Sequence, residues 1–185
     1  MNTHTLTASV LLRILFWLVL LLGGLALGFY LDRQFFPQAL TSLPWHLASA
    51  FLGLMLLRLI FRVARNTGRT LARFGRDGDL PRLETNRLVT RGPYGCMRHP
   101  MHMGLLPMPL ALALLAGSPS FIVFVAPLEM ALMVLLVLLL EEREALHKFG
   151  EAYREYRRQV PAFSLRPSCL KLLLQPVRAR QSNED

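Results

Sequence analysis

Long stretches without charge divide the chain into hydrophobic segments of membrane-spanning length. The four charge-free runs cover residues 14–31, 34–57, 101–128 and 130–140. A helix needs about 20 apolar residues to cross hydrocarbon about 30 Å thick. The stretch from Met101 to Leu140 is therefore two spans, which turn at Gly117-Ser118-Pro119-Ser120. The pattern predicts four transmembrane helices, at about 11–31, 44–63, 101–117 and 121–140.

The basic residues predict how these spans are oriented. Nine of them lie between Arg62 and Arg98, and nine more lie between Arg143 and Arg180. Lys and Arg near span ends mark the cytoplasmic side. We therefore expect the connection 65–91, the C-terminal tail and the N-terminus to be cytoplasmic, in a multi-pass protein of a bacterial inner membrane. Both cysteines, Cys96 and Cys169, then lie on the reducing side and are expected to be free thiols.

Composition narrows the class of protein further. Of 185 residues, 53% are apolar and only 18% are charged, which excludes a disordered chain. Two cysteines are too few for a disulfide scaffold. The net charge of +9 resides largely in arginines that flank spans, where lipid headgroups are the usual contacts, so we expect no nucleic-acid partner. The predicted fold is an all-α membrane bundle with an amphipathic C-terminal helix. It has an N-terminal two-helix segment (1–64) and a second segment (65–185) in one structural unit.

The first candidate site lies at the mouth of the third span. Gly92-Pro93 forms a turn signal, and Pro100 suits the first turn of a helix. His99 then lies near the N-cap, where exposed N–H groups attract anions, and Arg98 adds a forked donor for a carboxylate. His102 follows one turn later. The alternative is a structural turn with interfacial Arg and His anchors. Two histidines without further ligands do not make a zinc site, so no metal is expected.

The second candidate site is a pair of acids that follow the fourth span. Glu141 and Glu142 point about 100° apart on a helix, so one can face the bundle. Such carboxylates oppose the dipole of a helix that ends there, and they could hold a cation or the hydroxyls of a ribose. The alternative is a solvated helix end. An apolar stripe then predicts an amphipathic helix, bent near Gly150 and ended by Pro161. The stripe consists of Leu146, Phe149, Tyr153, Tyr156 and Val160.

Two features inside the predicted spans have open alternatives. Glu129 is the lone carboxylate of the fourth span, and it is either functional or a protonated packing residue. Gly24 and Gly28 either admit a close neighbouring helix or face lipid.

Together these residues resemble a known family. Gly92-Pro93-Tyr94 followed by Arg98-His99-Pro100-Met101-His102-Met103-Gly104 resembles the GPYRYVRHPxYxG signature of integral-membrane methyltransferases. This group includes isoprenylcysteine carboxyl methyltransferase and the phospholipid N-methyltransferases. A second signature, after the hydrophobic hairpin, is matched by Glu141-Glu142, Phe149-Gly150, Tyr153 and Tyr156. The resemblance covers about residues 88–163. Gly95, Cys96 and His102 depart from the usual Arg, Tyr and Tyr.

The resemblance implies methyl transfer from S-adenosylmethionine to a lipophilic acceptor at the cytoplasmic face. Carried over by position, it implies catalytic roles for Arg98 and Glu142. The implied cofactor-binding residues are Tyr94, His99, Pro100, His102, Gly104, Glu141 and Glu142. The acceptor is an isoprenylcysteine carboxylate, a lipid amine or a small thiol, and membrane lipids are expected partners. The oligomeric state stays open.

Two other functions stay open at this point. Sterol reductases resemble the same hairpin, so an NADPH-dependent membrane reductase is one alternative. The other is a non-catalytic membrane protein with the same fold.

Overall fold

The structure, a computed structural model, describes residues 8–79 and 84–175, with side chains from residue 11. Within these residues all regular secondary structure is helical, as predicted, and there is no strand. The α-helices are α1 (Ala8–Phe35), α2 (Pro37–Thr41), α3 (Leu43–Phe74), α4 (Pro100–Leu105), α5 (Met108–Ala116), α6 (Ala126–Leu136), α7 (Glu142–Gln159) and α8 (Pro167–Leu174). A 3₁₀ turn forms at Gly92–Gly95, and π-helical turns form at Phe121–Val125 and Val137–Glu141.

Three helices among the described residues are long and apolar enough to cross a membrane. They cover Leu11–Phe35, Leu43–Phe74 and Phe121–Gln159. The predicted third span corresponds to a shorter apolar helical segment, Pro100–Ala116. This segment is interrupted between α4 and α5 at Pro107, because proline removes a helical hydrogen bond. The chain is a multi-pass integral membrane protein.

Helix α3 extends well beyond its predicted end at residue 63. Its polar last turns are stabilised internally, since the hydroxyls of Thr67 and Thr70 donate to the carbonyls of Val63 and Asn66 at 2.9 Å. The predicted end of this span is therefore too early, and the predicted connection, in which the sequence also favours a short helix near residues 67–74, is helical as far as Phe74. Residues 80–83 of that predicted connection, and the predicted tail after residue 175, lie outside the described residues.

The fourth span does not end at Leu140. One helical run continues from Phe121 to Gln159 through the two π-helical turns. Glu141 and Glu142 therefore lie inside a helix, and the argument that they oppose the dipole of its end is wrong. The bend predicted at Gly150 is confirmed, because this residue has φ 57° and ψ −128° inside the helix. A positive φ is accessible to glycine at little steric cost.

Contacts at both ends of α1 give the helices their order. At one end, Asp32 accepts a hydrogen bond from the backbone N–H of Ser120 at 2.7 Å. At the other end, Arg13 forms ion pairs of 2.7 Å with both Glu141 and Glu144. The first and third connections therefore share one end of the bundle. The segment before α4 and the start of α7 share the other end.

Gly24 and Gly28 of α1 lie where this helix contacts the helical run that begins at Phe121. A Cβ atom at Gly28 would lie 2.7 Å from the Cβ of Phe121, and one at Gly24 would lie 2.2 Å from Oε1 of Glu129. Both distances are shorter than van der Waals contact, so a side chain at either position would force its neighbour to shift. The reading of a close neighbouring helix is confirmed. It places the buried Glu129 in a helix contact.

Helix α8 folds back and packs on α3 and on the segment before α4. Its Cys169 is joined to Cys96 in a disulfide, with the two Cα atoms 5.6 Å apart. The prediction of two free thiols is therefore wrong for this structure. It rested on the redox state of the compartment alone, whereas packing of Val63, Met97 and Leu173 brings the two cysteines together.

Candidate active site

The segment before α4 is held by the chain that follows α7. The N–H groups of Arg98 and His99 donate to the carbonyls of Pro161 and Ala162, at 2.9 and 3.1 Å. Pro100 is buried in the first turn of α4, where it has no N–H to leave unpaired. Two segments about 60 residues apart in sequence thus run side by side, and they bring the two family signatures together.

Glu142 is the centre of a buried hydrogen-bond network. Its Oε1 accepts from Nε of Arg98 at 2.9 Å, from Nε2 of His99 at 2.7 Å and from the hydroxyl of Tyr153 at 2.9 Å. The residue is 4% exposed. Its Oε2 lies 3.5 Å from Nε of Arg157. A carboxylate buried with this many donors is stabilised in its charged form and fixes the side chains around it.

Arg98 links three segments of the site. Beyond Glu142, its Nη1 donates to the backbone carbonyls of Arg157 and Val160 at the end of α7. The two residues predicted to be catalytic, Arg98 and Glu142, are therefore bound to one another. Several of the arginine's donors serve the protein itself, so the arrangement orients α7 across the mouth of the bundle.

A cavity of about 480 Å³, lined by both charged and apolar side chains, opens beside this network. Five of the predicted site residues line it: Tyr94, Arg98, His99, His102 and Glu141. Three others do not. Glu142 lies beneath the wall and Pro100 is buried in α4. Gly104 packs against α3, where a Cβ would lie 2.3 Å from Cγ1 of Val63.

Tyr94 lines this cavity and carries a hydroxyl that is buried in the protein. The side chain is 6% exposed, and no hydrogen-bond partner for its Oη is found among the described residues. Its own backbone carbonyl is held, since the hydroxyl of Tyr156 donates to it. Burial raises the pKa of Tyr94, so the phenol stays protonated and can donate. A buried polar group without a partner is unfavourable unless a ligand or water satisfies it.

His99 is neutral in this setting. Burial lowers its pKa, and the neighbouring Glu142 acts in the opposite direction. The short contact between Nε2 and the carboxylate requires the proton on Nε2. The ring therefore donates to Glu142, and its other nitrogen is an acceptor. The ring of His102 packs edge-on against it, with centroids 5.7 Å apart.

Arg13 is the main residue of the site that sequence reasoning missed. It lies in α1, far from both signatures, and lines the cavity while it pairs with Glu141 and Glu144. Its only sequence signal was an isolated basic residue near a span end. The loop residues Thr85, Leu88 and Val89 also line the cavity, and no pattern marked them.

The fold and the site together define a class: a multi-pass membrane protein with a cavity at one end of its bundle. A family model narrows this class. The model described as phospholipid methyltransferase matches residues 47–152, which is more than half of the chain. The chain belongs to that family, as the two signatures predicted.

A curated relative is an enzyme of another kind. The chain is 30% identical over 158 residues to the Delta(14)-sterol reductase TM7SF2 of Mus musculus. The match covers 79% of this chain and 37% of the reductase, so the chain spans little more than a third of that relative's length. No solved structure gives a significant match.

Proposed function

We propose that the protein is an S-adenosylmethionine-dependent methyltransferase that acts on a lipophilic acceptor at the cytoplasmic face of the membrane. The observation that carries the proposal is a cavity at one end of the bundle whose wall combines residues of both family signatures, among them Tyr94, His99 and Glu141. Most of the residues that line this cavity lie within residues 47–152, which the methyltransferase family model matches.

The chemistry of the cavity wall fits the cofactor. Its volume of about 480 Å³ is within the usual range for small-molecule sites. Glu141 and Glu144 offer carboxylates for an amino group or ribose hydroxyls, and Tyr94 offers a donor. The rings of Phe149, Tyr153 and Tyr156 also line the wall, and aromatic faces attract a cation such as a sulfonium.

In this proposal the side chains of the protein bind and orient the cofactor and the acceptor, and none of them acts as an acid catalyst. When bound, S-adenosylmethionine supplies a methyl group whose carbon–sulfur bond breaks as the acceptor's lone pair forms the new bond, and the sulfur leaves as a neutral thioether. The protein must then align the acceptor atom in a dry site. Glu142 holds Arg98 and His99 in place from below. Arg98 lines the cavity, and its guanidinium is a cationic group that suits the cofactor's carboxylate.

At each of the three positions that depart from the family signature, the structure shows what the residue present contacts. A Cβ at Gly95 would lie 2.9 Å from the carbonyl oxygen of Thr90, so the backbone there is too close for a side chain. Cys96 is bonded to Cys169, which ties α8 to the site. His102 retains a ring on the cavity wall. These departures leave the cavity wall around Tyr94 complete.

The similarity to the Delta(14)-sterol reductase supports a second candidate, an NADPH-dependent membrane reductase. Binding separates the two functions. We expect purified protein in detergent or nanodiscs to bind S-adenosylmethionine and not NADPH in equilibrium dialysis. Binding of NADPH alone would favour the reductase, and binding of neither ligand would favour a non-catalytic protein.

A matched pair of tyrosine variants tests the site itself. Because the Tyr94 hydroxyl has no protein partner among the described residues, Tyr94→Phe should retain thermal stability. It should lower S-adenosylmethionine affinity about 2- to 12-fold, since one hydrogen bond is worth about 0.5–1.5 kcal/mol. Tyr30→Phe, at an exposed tyrosine near the other end of α1, should change neither. Unchanged affinity in Tyr94→Phe would remove the proposed role of this hydroxyl.

A further inference from the structure

A second cavity lies beside the first and has a different character. It encloses about 390 Å³ between α1 and the helical run that contains α6. Most of its wall is apolar, contributed by Leu12, Phe16, Trp17, Leu136, Val137 and Leu140. Leu12 and Leu140 are 68% and 56% exposed, on helices of membrane-spanning length. The cavity is therefore open on the side that faces lipid.

The two cavities meet at three shared residues. Arg13, His102 and Glu141 line both of them. Arg13 and Glu141 are bound to each other at 2.7 Å, so they form a polar boundary beside the ring of His102. A molecule in the apolar cavity would thus present its polar end at His102, directly beside the cavity that we assign to the cofactor.

We propose that the second cavity binds the methyl acceptor by one apolar chain, with the acceptor's reactive group placed at His102. This inference rests on the proposed function. Four of the nine residues that line the acceptor site then come from α1, which lies outside residues 47–152 matched by the family model. The volume suits a single chain, so the preferred acceptor is a single-chain lipophile rather than a two-chain phospholipid.

The shape of the second cavity, rather than its hydrophobicity, is expected to determine which acceptor binds. A chain that moves from lipid into this cavity gains little hydrophobic free energy, because lipid tails are as apolar as leucine. Discrimination therefore depends on how well the chain fills the cavity and on the polar boundary at Arg13, Glu141 and His102. A larger side chain on the wall of the second cavity should therefore reduce its volume and exclude the acceptor, and it should leave the neighbouring cofactor cavity unchanged.

Photolabelling with two lipids of the same headgroup tests the proposal. The probe is lysophosphatidylethanolamine with a diazirine in its chain, added to the protein in phosphatidylcholine nanodiscs. We expect saturable labelling of peptides that contain residues 12–17 and 136–140. Unlabelled lysophosphatidylethanolamine should compete, and two-chain phosphatidylethanolamine at the same mole fraction should not. Non-saturable labelling spread over all lipid-facing helices, or equal competition by both lipids, would overturn the proposal.

Two adjacent leucines provide matched variants. Leu12→Trp should fill the cavity and lower saturable labelling at least about fivefold. Leu11→Trp, at an exposed leucine that does not line the cavity, should leave labelling unchanged. Both variants should bind S-adenosylmethionine like the parent. If the parent does not bind S-adenosylmethionine, the result counts against the proposed function. If the parent binds it but Leu12→Trp does not change the labelling, the result refutes the acceptor site alone.

Discussion

Glu141 and Glu142 are neighbours in sequence and have opposite environments. Glu141 lies at the edge of the cavity in an ion pair whose arginine is 46% exposed, whereas Glu142 is buried among Arg98, His99 and Tyr153. The 100° step between adjacent helical residues accounts for the difference. The sequence predicted that one acid would face the bundle, and in the structure that acid is Glu142.

This contrast predicts different stabilities for two glutamine variants. Glu142→Gln should lower the free energy of unfolding by about 3–5 kcal/mol, because it leaves a buried arginine without its counter-charge. Glu141→Gln should change it by about 0–1 kcal/mol, as is usual for exposed ion pairs. Thermal or denaturant unfolding followed by circular dichroism measures both. Equal stability of the two variants would contradict the central position of Glu142.

The buried His99 predicts a dependence of stability on pH. Burial lowers its pKa in the folded protein below the unfolded value of about 6.5, so the neutral form is favoured by folding. The stability that this residue contributes is therefore present above about pH 6.5 and is lost as the pH falls through the folded pKa.

Melting curves from pH 8 to pH 5 in detergent check this expectation. The parent should lose stability more steeply below pH 6.5 than His99→Gln, which has no titrating group at this position. The difference between the two curves isolates His99 from the other groups that titrate in this range. Parallel curves would exclude this histidine as the cause.

At the scale of elements, hydrophobic length predicted where helices lie better than where they end. Both α3 and the run from Phe121 to Gln159 extend far beyond their apolar parts. The polar extensions persist because tertiary contacts satisfy them. Asn66 of α3, for example, donates to the carbonyl of Leu173 in α8 at 3.2 Å. The end of α3 could not be predicted from its own apolar residues, because this hydrogen-bond partner lies 107 residues away in sequence.

The disulfide between Cys96 and Cys169 attaches α8 to the rest of the protein and is expected to contribute to its stability. The bond closes a loop across 73 positions and ties α8 to the turn that carries Tyr94. Such cross-links typically stabilise by about 2–4 kcal/mol. We expect a reductant to lower the melting temperature of oxidised protein, and Cys169→Ser to melt at the same temperature with or without reductant. If the reductant does not change the melting temperature of the parent, the disulfide is either absent or has no effect on stability.

At the scale of the whole molecule, the direction of insertion stays a prediction from charge. The structure places α2 at one end of the bundle and the site at the other. The excess of Arg and Lys near the site predicts that this end is cytoplasmic. Two exposed residues, Gln38 in α2 and Glu151 in α7, report on the two ends.

Single cysteines at these positions test the topology. In a background with Cys96→Ser and Cys169→Ser, Gln38→Cys should react with an impermeant maleimide added to sealed cells. Glu151→Cys should react only after the membrane is opened. The reverse pattern would invert the predicted orientation without changing the fold.

The sequence by itself determined the fold class, the positions of the spans and the two signatures of the family. These features depend on local properties: apolar length, turn residues and fixed spacings along one helix. Tertiary structure alone decided that Glu142 is the buried centre of the network, that Gly104 serves packing against α3, and that α1 contributes Arg13 to the cavity. It also brought Cys96 and Cys169 together. Each of these depends on contacts between segments distant in sequence, and their geometry is set by how helices pack rather than by any local pattern.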